Sequence, residues 1–156
     1  MKMNLPEEYI RNLKQWGLYK LKASPEITKY LNMTSEEIES LDFKKIDDIL
    51  IILGQHRIYL QTELNKWNVQ AKILKRRYEK LLNTEITKNK EKVTLTEKKA
   101  NALANNKFLQ RLFNSYNEAV NYTELLHNIP DVIGDQIINF RRIKQARESQ
   151  YVNPGG

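Results

Sequence analysis

Lys72, Lys75, Arg76 and Lys80 stand at i, i+3, i+4 and i+8, a spacing that gathers four cations on one face of a helix. Arg77 lies a step around that helix, and Tyr78 follows beside it. Lys88, Lys90 and Lys92 carry the charge into a polar stretch, and Lys98 and Lys99 resume it beyond. Side chains of this kind hold phosphate oxygens. Each neutralised phosphate releases condensed counterions, so affinity arises without any reading of bases. The competing reading is a solvated helix face balanced by acids on a neighbouring helix. Charge asymmetry favours the polyanion. The chain carries +7, and residues 44–92 hold twelve Lys and Arg against six Asp and Glu. Residues 1–43 hold six against seven, and residues 93–156 eight against six, so nearly all the excess lies in the middle third.

A second basic run, Phe140-Arg141-Arg142-Ile143-Lys144-Gln145-Ala146-Arg147, places Arg141, Lys144 and Arg147 at steps of three. Here the structural explanation leads, because cations in the last turns of a helix meet the negative end of its dipole. Trp16, Trp67 and the eight tyrosines offer faces on which unstacked bases can rest. Trp67 falls in an apolar seam and is expected in the core. Tyr59, off that seam, is freer to stack.

Little in the chain suggests catalysis. His56 and His127 stand alone, and Asp47-Asp48 reads as two solvated charges near a helix start. There is no Gly-rich phosphate loop, nucleophile elbow or metal motif. Cysteine is absent, which removes disulfides and thiolate chemistry. A non-enzymatic protein without cofactor or metal is expected.

The elements that must position the cations are helices. Five glycines and four prolines are too few turn formers for a many-stranded sheet. Ser24-Pro25-Glu26 and the capping box Thr34-Ser35-Glu36-Glu37 each open a short helix. Leu5 to Leu21 reads as a further helix, weakened by Gly17. From about Asp42 to Thr84 no proline intervenes. Ile46, Ile49, Leu53, His56, Leu60, Leu64, Trp67, Ala71, Leu74, Tyr78 and Leu81 recur at steps of three and four, the spacing of a coiled-coil seam. Such a helix is roughly 60 Å long. A polar hinge at about 84–94 ends at a second capping box, Thr94-Leu95-Thr96-Glu97. The return helix is predicted from Leu95 to His127, with Leu109, Phe113, Tyr116, Val120 and Leu126 inward. Pro130 marks a break. A last helix runs to about Ser149, with Ile133, Ile137, Phe140 and Ile143 on one side.

The expected fold is therefore all-α: a long helical hairpin with a coiled-coil-like seam, short N-terminal helices, and a C-terminal helix after the Pro break. Residues 1–33 form an N-terminal extension, 34–149 the hairpin domain and 150–156 a flexible tail. Asn105, Asn106 and Lys107 interrupt the return helix where a cover for the seam needs apolar side chains, so a homo-oligomer is expected, held through Ile49, Leu53, Leu60, Leu64, Trp67 and Leu74. No apolar run approaches the 18–20 or so residues of a membrane span, the longest being Ile49 to Leu53. The N-terminus has no secretion-signal core. A soluble cytoplasmic protein is the expectation.

The helix order and several segments resemble the UvsY-type recombination mediators of bacteriophages. The likeness is carried by Leu53-Gly54-Gln55-His56-Arg57-Ile58-Tyr59-Leu60, the basic-aromatic close Lys75-Arg76-Arg77-Tyr78, the polar hinge, Ala104-Asn105-Asn106-Lys107-Phe108-Leu109, and the ending Ile143-Lys144-Gln145-Ala146-Arg147-Glu148. It covers roughly residues 34–149. The resemblance implies a single-stranded-DNA-binding accessory protein, a ring-shaped oligomer, and a recombinase and single-strand-binding protein as partners. It also implies the host cell cytoplasm if the chain is phage-encoded. In that family the basic residues closing the first long helix contact DNA, and they match Lys75, Arg76 and Arg77. With their neighbours, the candidate DNA-binding set is Lys72, Lys75, Arg76, Arg77, Lys80, Lys88 and Lys90. The rival is a phage structural or assembly adaptor or scaffold, in which the basic hinge is only solvated surface.

Overall fold

The computed structural model describes residues 25–152. The six elements among the described residues are all helices: α1 (Pro25–Leu31), α2 (Ser35–Glu39), α3 (Phe43–Lys88), α4 (Leu95–Asn105), α5 (Lys107–Leu126) and α6 (Ile129–Val152). The all-α expectation holds. The helix proposed for Leu5 to Leu21, with Trp16, and the Ser24 cap lie outside the described residues. Among the described residues no helix is long and apolar enough to cross a membrane.

The chain divides into two compact units, Met1–Gln61 with Asn128–Gly156, and Thr62–His127. Helix α3 supplies its first part to one and its remainder to the other. Residues 34–149, expected as one hairpin domain, are shared between these two units. On the N-terminal side of the boundary expected at 33, Ile27 and Tyr30 are buried, and the Gln136 amide donates to the carbonyls of Tyr30 and Met33 at 2.9 and 3.1 Å. Tyr151 and Val152, assigned to a tail, continue α6.

In the first unit the start of α3 is set by Asp42, whose carboxylate accepts from the Lys45 amide at 2.7 Å. The Thr34 capping box opens α2 as its sequence predicts. Ile46, Ile49, Leu53 and Leu60 of α3 are buried, as are Ile38 of α2 and Ile133, Ile137, Phe140 and Ile143 of α6. Helix α6 runs antiparallel to α3, with the Arg57 Nε donating to the Pro130 carbonyl at 3.0 Å and the Lys144 ammonium on Asp47 at 2.7 Å. Pro130 sits in the first turn of α6, where its missing N–H costs nothing. Gly134 leaves room for the Arg57 guanidinium, which a Cβ would meet at 3.0 Å.

The second unit is an antiparallel hairpin. Trp67 stacks on Tyr122 at 4.1 Å, Tyr78 tilts against Phe113 at 5.3 Å, and Leu82 packs with Ala102 and Leu109 near the turn. Leu82 is buried where the 3.5-residue seam predicts Leu81. A straight α-helix of 3.6 residues per turn drifts by about 20° per heptad, so the inward position slips toward the next residue. Helix α3 also outlasts its predicted end and takes Lys88 out of the loop. Ile86 packs on the Leu82 cluster, while the Thr84 and Thr87 hydroxyls donate to the Lys80 and Asn83 carbonyls one turn back.

The return helix is not continuous. Asn106 breaks it with an extended backbone, and its side-chain oxygen accepts from the Phe108 and Leu109 amides at 3.0 Å. Asn offers the backbone an alternative to the helix ladder, and here the alternative wins. The seam residues themselves are interior in a single chain: Ile49, Leu53, Leu60, Leu64 and Leu74 are buried and Trp67 is half-buried. A second chain is not needed to cover them, which removes the physical reason given for a homo-oligomer through this seam.

Candidate nucleic-acid interface

The cations of the opening cluster all belong to the second unit. Lys72, Lys75, Arg76, Arg77 and Lys80 are exposed on α3, Lys88 ends that helix, and Lys90 is exposed in the loop 89–94. Packing decides their direction. Leu74 and Leu82 hold the opposite side of α3 in the core, so i, i+3 and i+4 neighbours among the cations stand together in solvent. Five cations between Lys72 and Lys80 share the segment with one acid, Glu79.

Their partners are few. Among the described residues Lys72, Arg76, Arg77, Lys80 and Lys90 make no side-chain hydrogen bond or ion pair. Lys75 approaches Glu79 at 3.9 Å and Lys88 reaches Glu85 at 3.2 Å. Both are exposed pairs within one helix, weak enough to exchange for a phosphate. Lys98 is differently placed, since its ammonium donates to the Asn89 carbonyl at 3.0 Å and helps close the end of α3. Glu97 is held by the Thr94 cap, and those hydrogen bonds keep its carboxyl below the usual range.

Two of the C-terminal cations contrast with these. Lys144 joins Asp47 at 2.7 Å and Glu148 at 3.6 Å, and the Asp47 contact raises its pKa. Arg147 donates to the Leu41 carbonyl at 2.6 Å and lies over the Phe43 ring at 4.6 Å. Lys144 and Arg147 thus have tertiary partners, whereas among the described residues Arg142 meets only Asn139 of its own helix and Arg141 is exposed. The dipole explanation fails, because α6 continues to Val152 and its last turn has no basic residue.

Two aromatic expectations part ways. Trp67 is occupied by Tyr122, as a core residue should be. Tyr59 is half-buried with its hydroxyl oxygen out of solvent, so it is not the free platform its position off the seam predicts. Beside the cations, α3 and α5 enclose a groove of about 290 Å³, lined by Asn68, Ala71, Lys72, Lys75, Tyr116, Val120, Thr123 and Glu124. Sequence reasoning placed Tyr116 and Val120 inward and missed the groove. The signal was the common face of 68, 71, 72 and 75 against that of 116, 120, 123 and 124, which becomes a site only once the hairpin register is known. Among the described residues no three His, Asp or Glu side chains gather as metal ligands.

No protein-family model, curated protein or solved structure matches the chain.

Proposed function

We propose that the chain is a non-enzymatic single-stranded-DNA-binding protein that acts as a recombination mediator, helping to load a recombinase onto DNA coated by single-strand-binding protein. The observation that carries the DNA-binding part is the set of solvent-facing cations on α3 without intramolecular partners. Guanidinium and ammonium groups left unpaired on a folded surface retain their full capacity for phosphate oxygens. Lys144 and Arg147 at the other end of the chain, engaged by Asp47, Glu148 and the Leu41 carbonyl, do not have that freedom, whereas among the described residues Arg141 is exposed and unpaired and Arg142 meets only Asn139.

The mediator role, the recombinase and single-strand-binding protein as partners, the ring-shaped homo-oligomer and the host cytoplasm rest on the resemblance to UvsY-type proteins. In an oligomer, several weak phosphate clusters engage one strand together, and their affinities multiply through effective concentration.

A fluorescent oligonucleotide titrated with the full chain across a salt series tests the reading. Binding is expected to weaken steeply with salt, to depend little on base sequence, and to favour single strands over duplex. Equal affinity for duplex and single strand throughout the series counts against a mediator. Absence of salt-dependent binding to either leaves the adaptor or scaffold reading.

A further inference from the structure

The groove beside the cations has features that a phosphate cradle does not need. Ala71, Val120 and Tyr116 give its lining apolar surface, and Lys72 and Lys75 contribute from the α3 side. Tyr116 and the exposed Phe108 differ from the other aromatic residues of their hairpin. Trp67 is stacked on Tyr122 and Tyr78 packs on Phe113, whereas Tyr116 contacts no other ring among the described residues. Tyr116 is half-buried, so its position is held while one side faces the groove.

The volume, about 290 Å³, is at the lower limit of small-ligand sites and suits one flat ring system. Glu124 across the groove is decisive about orientation. A carboxylate opposes entry of a phosphate, but it accepts hydrogen bonds from an exocyclic amino group, and Asn68 and Thr123 add further polar atoms for a base edge. Phosphates and bases are thereby sorted. The backbone would run along Lys72, Lys75 and Arg76, and a base would turn inward.

We propose that this groove takes one unstacked nucleobase of a bound single strand, with the base against Tyr116 and the flanking phosphates on Lys72 and Lys75. The proposal rests on the single-stranded-DNA reading and adds a site that counterion release does not require. It also gives a reason for preferring single strands, since a paired base cannot enter.

The test compares full-chain binding of an oligodeoxycytidylate with that of an abasic deoxyribose-phosphate chain of equal length, across one salt series. Stacking of a base is worth about 1–3 kcal/mol, so the abasic chain is expected to bind at least about fivefold more weakly with a similar salt slope. Tyr116→Ala is expected to abolish that ratio, and Tyr116→Phe to retain it. Should Tyr116→Ala fail to fold, the unaltered protein still decides through photo-crosslinking of an oligodeoxycytidylate carrying 5-iodocytosine. A crosslink at Tyr116 supports the groove, and crosslinks confined to other residues overturn it. Equal affinity for the two chains overturns the groove while leaving phosphate-based DNA binding intact. Failure of both chains to bind overturns the groove and the function together.

Discussion

Replacing Arg76 and Arg77 together by Ala removes two cations that make no contacts of their own in the fold. Oligonucleotide affinity is expected to fall, and the slope of its logarithm against log salt to flatten by about two units, roughly one for each lost phosphate contact. Circular dichroism should be unchanged, because Ala is the best helix former and neither position is buried. The paired control is Arg141→Ala with Arg142→Ala, whose effect on binding is expected to be smaller. A more damaging C-terminal pair, with a neutral pair on α3, would move the site. His56 supplies a prediction of another kind. Burial holds its imidazole below the ordinary value of 6.5, so the unfolded chain takes up a proton that the folded chain refuses. Stability is therefore full above about pH 6.5, declines as pH falls below it, and levels off beneath the lowered folded value. Urea midpoints between pH 5 and 8 measure this, and His56→Gln is expected to flatten the dependence.

Helix α4 owes its start to one reciprocal cap. The Glu97 amide donates to the Thr94 hydroxyl at 3.2 Å, and the Thr94 amide donates to the Glu97 carboxylate at 2.8 Å. Thr94→Ala is expected to destabilise the protein by about 1 kcal/mol, the usual cost of losing such a cap. The Glu97 carboxyl, losing the hydroxyl's hydrogen bond while keeping that of the backbone amide, should rise part of the way toward its ordinary range, which a carbon-detected NMR titration reads directly. Asn106 shows how the same chemistry can interrupt. Its side chain caps α5 so effectively that eleven residues of α4 and twenty of α5 stand as separate helices. The hinge is shorter than its composition suggests for the opposite reason: Ile86 gains enough from the Leu82 cluster to extend α3 by a turn.

For the molecule as a whole, the buried seam changes what an assembly experiment means. Leu60 and Leu74 are 3% and 8% exposed in one chain, so Asp at either position places an unpaired charge in an interior. That penalty, of order 3–5 kcal/mol, is comparable with the total stability of many domains. Leu60→Asp and Leu74→Asp are expected to lose helical circular dichroism along with any association seen by light scattering. A variant that dissociates yet stays fully helical would show the seam to lie between chains.

Much of this protein was legible from its sequence. Two capping boxes, a proline tolerated in a first turn, and three- and four-residue apolar steps are local codes, set by backbone hydrogen bonding and side-chain direction within a few residues. They announce α2, α3, α4 and α6 and the apolar faces of α3 and α6. Tertiary structure alone decided which partners those faces and charges find. Nothing near Lys144 or Arg147 in sequence points to Asp47, Leu41 or Phe43, roughly a hundred residues away, and it is these that separate those two engaged cations from the free ones of α3. The groove depends likewise on the register that brings Tyr116 beside Lys72, and the division at Gln61 on packing that no periodicity records. Periodicity states that a helix has an inward face. What that face meets is set by long-range contacts, whose geometry is not written in any short stretch of the chain.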